Sequence, residues 1–178
     1  MRNDDFDREM TRPVRERRTK TADEACASLM RLCARAERSS GDAMRLMRQW
    51  GVDESQRAGV LQRLLAARFI DDERYAEAFV REKINLSGWG AYKIRQALQR
   101  KGIDRPTIDA ALSRLDSETM RGRLTERLAR KMRTVKYSSP YDLRTKLMRH
   151  AISLGYDFDT AGDAVAEAMR GMRVDDDI

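Results

Sequence analysis

The sequence predicts an all-α protein made of three tandem three-helix modules in an elongated, curved arrangement. A Gly–apolar–Asp triplet recurs at intervals of 51 and 53 residues, at Gly51–Asp53, Gly102–Asp104 and Gly155–Asp157. Glycine ends helices in the left-handed conformation and aspartate caps helix starts, so each triplet is predicted to join two helices. Apolar residues keep one register around all three triplets, and no alternating strand pattern competes with them.

The register of apolar residues defines the second and third helix of each module. Residues eight and four positions before each glycine fall on one helical face: Ala43 and Met47, Ile94 and Leu98, Leu147 and Ala151. Residues ten and thirteen positions after each glycine give the following helix an apolar stripe: Leu61 and Leu64, Leu112 and Leu115, Val165 and Ala168. We expect these residues to form the cores.

A further helix precedes each of these pairs. Thr21 and Glu24 form a capping-box pattern, and Asp71 and Asp72 open the first helix of the second module. The first helix of the third module starts near Ser117, and Ser139–Pro140 begins the middle helix that follows it. The predicted modules span 21–69, 70–115 and 116–172. A basic tail at 1–20 and an acidic tail at 173–178 are expected to be disordered.

The composition favours small helical cores over one thick core. Charged residues make up 37% of the 178 residues and aromatic residues 6%, so a large enclosed substrate pocket is not expected. No apolar run is long enough to span a bilayer, and the first twenty residues mix acids with arginines where a signal peptide has an apolar core. We therefore expect a cytoplasmic protein without membrane contact.

The cysteines and the histidine indicate neither a disulfide nor a metal site. Cys26 and Cys33 lie seven residues apart on the apolar side of one predicted helix. That separation is too large for a disulfide and favours buried, reduced thiols. His150 is the only histidine, so the ligand sets usual for zinc are lacking. We expect no bound metal.

Enzyme activity is not indicated either. Three acidic residues, Asp71, Asp72 and Glu73, resemble a carboxylate site, but a helix start favours acidic residues through its free amides alone. Gly88–Gly90 lacks the lysine and the strand-to-helix context of a phosphate-binding loop. We expect no catalytic residue and no cofactor.

Positive charge is concentrated in one segment. Residues 120–150 contain ten basic and two acidic residues, whereas residues 151–178 contain two arginines and seven acidic residues. Helical spacing places four of the basic residues on one exposed side: Arg123, Arg127, Arg130 and Lys131. Such a side is either a solvated helix face or an electrostatic site for nucleic acid or an acidic protein. The clustering favours the second interpretation.

The densest series of motifs lies in the middle module. It comprises Phe69–Ala76, Phe79–Arg81, Gly88–Gly90, Ile94–Leu98 and Lys101–Ile103. In these motifs and in its three-module layout, the chain resembles the RecX family of bacterial recombination regulators. The resemblance implies a non-enzymatic protein that binds the RecA recombinase filament and meets single-stranded DNA directly or through that filament. It also implies inhibition of the filament's ATPase, strand-exchange and coprotease activities. We expect a monomer.

Within the middle module, which matches the family pattern, two groups of residues are expected to have different roles. The first group suits structural roles: Asp72, Tyr75, Gly90, Ile94, Leu98, Gly102 and Ile103. The second group consists of candidates for contacts with the filament, because a charged head group needs water or an anionic partner: Arg81, Lys83, Arg95 and Lys101.

A DNA-binding protein without a recombinase partner is the alternative interpretation. Short helices joined by a glycine-containing turn also describe a helix-turn-helix. In that interpretation four side chains of the middle module enter a major groove: Tyr92, Lys93, Arg95 and Gln96. Recurrence of the same unit three times favours a scaffold over a single recognition motif.

Overall fold

A computed structural model of the protein describes residues 19–175, with side chains described through residue 170. Within this range the chain forms nine α-helices and one π-helical turn at Lys83–Ser87. The helices are α1 (Ala22–Cys33), α2 (Ser40–Gln49), α3 (Glu54–Ala66), α4 (Asp72–Glu82), α5 (Ala91–Arg100), α6 (Arg105–Ser113), α7 (Ser117–Met132), α8 (Pro140–Ser153) and α9 (Phe158–Asp175).

The predicted fold class is confirmed. Residues 19–175 contain no strand, and the helices form three modules, α1–α3, α4–α6 and α7–α9. Helix α9 continues to Asp175, although the sequence assigned residues 173–175 to the acidic tail. The expectations for residues 1–18 and 176–178 lie outside the described part of the chain.

The predicted caps begin the helices. Thr21 and Glu24 form a complete capping box at α1, with Glu24 N donating to Thr21 Oγ1 and Thr21 N donating to Glu24 Oε2. Asp71 caps α4 and Ser139 caps α8. Each cap satisfies an amide that has no partner within its own helix.

The three glycine triplets act as predicted. Gly51, Gly102 and Gly155 have φ angles of 68°, 76° and 91°, in the left-handed region that ends a helix. The aspartates accept from the next helix: Asp53 from Ser55 N, Asp104 from Thr107 N and Asp157 from Thr160 N. The apolar residue of every triplet is buried against its module, so each triplet is both a turn and part of a core.

The middle helices carry the core positions that the register predicts. All six residues at eight and four positions before the glycines are fully buried: Ala43, Met47, Ile94, Leu98, Leu147 and Ala151. The prediction for position ten after each glycine is only partly right, because Leu61 is half-buried while Leu112 and Val165 are buried. Position nine is buried in all three modules, at Val60, Ala111 and Ala164.

The buried residues form two hydrophobic clusters, not three. The first module has its own cluster, which includes Leu29 and Leu64 and also takes in Ile70 from the predicted second module. The second and third modules share one continuous cluster, in which residues such as Ile94 and Leu98 belong with Leu124 and Leu147. The apolar core therefore joins the last two modules, whereas the first must be attached by other contacts.

Polar contacts attach the first module to the second at a contact that we call the first junction. Ser39 Oγ, at the start of α2, donates to the carbonyl oxygen of Lys101 at 2.7 Å. Lys101 Nζ in turn donates to both carboxylate oxygens of Asp42, at 3.1 and 3.3 Å. Ser39 and Asp42 are the buried polar side chains of the described residues. Gly41 lies so close to Lys101 that a Cβ atom there would collide with its carbonyl group.

The second junction repeats this arrangement between the second and third modules. Gly90 N, at the start of α5, donates to the carbonyl oxygen of Leu154 at 2.8 Å, and Tyr92 N donates to that of Gly155 at 3.1 Å. Lys93 Nζ donates to the carbonyl oxygen of Ser153 at 3.0 Å. At both junctions the start of one middle helix therefore meets the end of the next module's middle helix.

A related contact corrects the prediction for the N-terminal tail. Thr19 and Lys20 were expected to be disordered, but they lie against the end of α2. Lys20 N donates to the carbonyl oxygen of Trp50 at 2.9 Å, and its Nζ lies 3.8 Å from the centre of the Trp50 ring. The Thr19 side chain fills the space where Gly51 has no Cβ. At the first module, this segment therefore occupies the position that the preceding module occupies at the second and third modules.

The second junction predicts a specific effect of a methyl group at Gly90. Its φ of −84° is open to any residue, but an added Cβ would lie under 3.0 Å from Gly155 O. Gly90→Ala should therefore lower the free energy of unfolding by about 1–3 kcal/mol in urea titrations followed by circular dichroism.

Gly122→Ala is the matched control. Gly122 lies within α7 and has no neighbouring atom within 4 Å of an added Cβ. This variant should raise the stability by about 0.5–1 kcal/mol, because alanine loses less backbone entropy in a helix. A Gly90→Ala protein as stable as wild type would contradict the close approach at the junction.

The aspartate caps predict a loss of stability in acid. Hydrogen bonds from Thr107 hold the pKa of Asp104 below its ordinary value of 3.8, and Thr160 lowers the pKa of Asp157 in the same way. The stabilisation is fully present above the unfolded-state pKa and is lost as the pH falls below 3.8 through the folded-state values. Asp104→Asn keeps a capping oxygen but does not titrate. Urea unfolding measured across acidic pH should show that the free energy of unfolding falls less with decreasing pH in this variant than in wild type. An identical pH dependence would contradict the assignment.

Candidate interaction surface

A groove between α4 and α7 brings basic side chains from two modules together. It has a volume of about 460 Å³ and is lined by Arg81 from α4, Arg114 after α6 and Arg123 from α7. Glu77 and Asp116 also line it, and Glu77 forms an ion pair with Arg114. Arg81 is exposed, and no ion pair engages it among the residues whose side chains are described. The groove therefore has a small excess of positive charge at the seam of two modules.

The other three contact candidates of the middle module already have internal partners. Lys83 is bonded to Glu82 at 2.6 Å and lies 5.1 Å from the centre of the Phe79 ring. Arg95 pairs with Asp109 of α6. Lys101 holds Asp42 across the first junction. Their positive charges are therefore partly committed to the fold, and Arg81 is the most accessible of the four.

The basic side of α7 divides into two parts. Arg123 reaches back to the second module, where it donates to Asn85 Oδ1 at 2.6 Å, and the Arg127 side chain packs against Gly88 after the π-helical turn. Arg130 and Lys131 are exposed to solvent. The first pair thus links two modules, whereas the second pair is free to meet a partner.

Asp72, one of the residues expected to have structural roles, has a contact that the sequence did not reveal. Its Oδ1 accepts from Ser40 N at 2.8 Å, so it caps the start of α2 in the neighbouring module. Asp71, not Asp72, caps α4 through Arg74 N. The two residues lie 32 positions apart along the chain, so no local sequence pattern predicts this contact.

Aromatic rings of the middle module form a row beside the second junction. Tyr75 stacks on Phe79 with ring centres 6.1 Å apart, and Phe79 meets Trp89 edge-on at 6.4 Å. Lys83 and Lys93 lie 5.5 and 4.8 Å from the centre of the Trp89 ring. The row orients these two ammonium groups by cation–π attraction.

No metal-binding cluster is present among the described residues, where no group of three or more histidine, cysteine, aspartate and glutamate side chains converges. Cys26 and Cys33 are free thiols; Cys26 is buried, but Cys33 is only half-buried, which corrects the expectation for it. Burial still raises the pKa of the Cys33 thiol. None of the described helices is long and apolar enough to cross a membrane.

Internal contacts engage part of the start of α5, which bears on the helix-turn-helix alternative. A recognition helix contacts base edges with its N-terminal residues. Here Tyr92 N and Lys93 Nζ bond to carbonyl groups of the third module, and Arg95 bonds to Asp109. Lys93 and Arg95 are therefore engaged within the fold, whereas the Tyr92 ring is 67% exposed.

Comparisons with known proteins agree with this architecture. The family model for RecX, second three-helix domain, matches residues 71–112, which contain α4 to α6 almost completely. The crystal structure of RecX from Lactobacillus salivarius superposes with a TM-score of 0.71 at 21% identity, covering 83% of this chain and 96% of that chain. This likeness shows the fold.

Sequence relatives show the family. The regulatory protein RecX of Clostridium botulinum (strain Alaska E43 / Type E3) is 32% identical over 121 residues, covering 67% of this chain but only 56% of that longer protein. The regulatory protein RecX of Mycobacterium sp. (strain JLS) is 31% identical over 156 residues, covering 85% of each chain. The chain therefore belongs to the RecX family of regulatory proteins.

Proposed function

We propose that this protein binds the RecA recombinase filament on single-stranded DNA and inhibits its ATPase, strand-exchange and coprotease activities. It does so by binding alone, as a cytoplasmic monomer without a cofactor or a catalytic site of its own. Membership of a family of regulatory proteins supports a regulatory role. The groove that gathers Arg81, Arg114 and Arg123 at the seam of two modules is the observation that carries the proposal, because a nucleoprotein filament is a polyanion.

The tandem architecture supports a partner that is itself repetitive. Junctions hold the three modules in sequence, so several surfaces of one molecule meet neighbouring subunits of a filament together. Binding of the first module raises the effective concentration of the others, and the chain gains avidity without any single strong contact. A regulator that binds one state of the filament better than another shifts the filament toward that state.

The recombinase proposal predicts inhibition at low protein concentration. The purified protein should lower DNA-dependent ATP hydrolysis by RecA at concentrations far below those at which it binds bare duplex DNA. A coupled ATPase assay and a duplex-binding titration in the same buffer give the two concentrations. Inhibition that appears only when free DNA is saturated would instead favour the DNA-binding alternative.

The exposed basic side chains of α7 predict an effect on the rate of association with the filament. Arg130→Gln combined with Lys131→Gln should slow association with the filament and flatten its salt dependence, because charge steering acts mainly on the on-rate and is screened by salt. Both side chains are exposed, so the helical content should stay unchanged. Stopped-flow mixing at several salt concentrations measures the rates.

A second double variant controls for net charge. Arg48→Gln combined with Arg100→Gln removes the same two charges from exposed positions at the ends of α2 and α5. This control should associate at close to the wild-type rate. Equal slowing in both variants would remove Arg130 and Lys131 from the steering role and leave only an effect of total charge.

A further inference from the structure

We propose that a basic pocket between the end of α7 and α8 binds a backbone phosphate of single-stranded DNA. The pocket has a volume of about 340 Å³, and four of its lining side chains are basic: Lys131, Lys146, Arg149 and His150. We call it the His150 pocket. It deepens the proposed function by naming where the DNA strand of the filament meets this protein.

Positive charge reaches the His150 pocket from three helices of two modules. Lys131 comes from the last turn of α7, and Arg149 and His150 come from α8. Lys93 of α5 approaches from the second module, where its Nζ bonds to the carbonyl oxygen of Ser153, another lining residue. The second junction therefore helps to build the pocket.

The positive charge in the pocket is only partly neutralised. Asp142 accepts from Lys146 Nζ at 2.9 Å, and the same ammonium group donates to the carbonyl oxygen of Lys136 at 2.8 Å. Within the part of the chain whose side chains are described, no carboxylate forms an ion pair with Lys131 or Arg149. Their charges remain available to an anion.

The pKa of His150 reflects this unbalanced positive charge. Burial lowers its pKa, and the positive charges of Lys131, Arg127 and Lys93 lower it further. A phosphate between these groups and the imidazole would favour the protonated ring, which donates from both nitrogens. Occupation of the pocket by an anion should therefore raise the pKa of His150. Because the chain has one histidine, its ring signal in an NMR spectrum is unambiguous.

Two exposed aromatic side chains near the start of α8 favour a nucleic-acid strand over an acidic peptide. Tyr141, in the first turn of α8, is 80% exposed. Tyr137 is 42% exposed and directly follows Lys136, whose carbonyl group holds Lys146. Unpaired bases stack on such rings while the phosphates of the strand meet basic side chains. A peptide rich in aspartate or glutamate would use the charges but not the rings.

The test is an NMR titration of His150 with the intact protein. The pH titration of its ring signal is recorded alone and with a saturating short oligothymidylate, without any recombinase. The pKa should rise on binding. An unchanged pKa at saturation would overturn the site, and so would an equal rise with poly-glutamate at matched charge.

Two double variants sharpen the test. Lys131→Gln with Arg149→Gln should weaken oligothymidylate binding and make the slope of log affinity against log salt shallower by about 0.7, because one phosphate contact on a single strand is lost. Arg48→Gln with Arg100→Gln should keep the wild-type slope. Equal slopes in the two variants would overturn the site.

Phosphate binding at the His150 pocket and inhibition of the filament are tested by independent measurements. The oligothymidylate titration contains no recombinase, so a negative result removes the His150 pocket and leaves inhibition of the filament standing. Conversely, a rise in the pKa of His150 without any inhibition of ATP hydrolysis would confirm the pocket and reject the recombinase proposal.

Discussion

The architecture depends on one recurring requirement, a hydrogen-bond donor for the carbonyl group that precedes the glycine at the end of each middle helix. Such terminal carbonyls have no partner within their own helix. In every module the donor comes from earlier in the chain: Lys20 N bonds to Trp50, Ser39 Oγ to Lys101 and Gly90 N to Leu154. The same requirement therefore attaches each module to the segment before it.

The two junctions meet this requirement with different chemistry. Around the first, the buried side chains of Ser39 and Asp42 are polar, and the hydrophobic clusters of the two modules remain separate. Around the second, a continuous apolar cluster backs the hydrogen bonds. Water can replace polar contacts at little net cost, whereas parting an apolar cluster exposes its surface. We therefore expect the first module to move more readily than the other two.

Local patterns predicted the helices and their cores, but not the contacts between modules. Register alone identified residues such as Met47 and Leu98, because the helical period fixes which face is apolar. Lys101 was taken as a candidate for partner binding, yet it pairs with Asp42, 59 positions away. A periodic pattern shows which face of a helix is apolar, but not which element packs against that face. In the same way, the charge count found the basic segment, while the pocket beside His150 appears only when α5, α7 and α8 are assembled.

Both junctions point the same way along the chain, from the start of one middle helix to the end of the next. An array joined in this manner has no internal two-fold symmetry, and its two extremities differ. Turning it end for end therefore changes which side chain faces which point on a partner. A polymer whose subunits all face one direction will accept it in a single orientation.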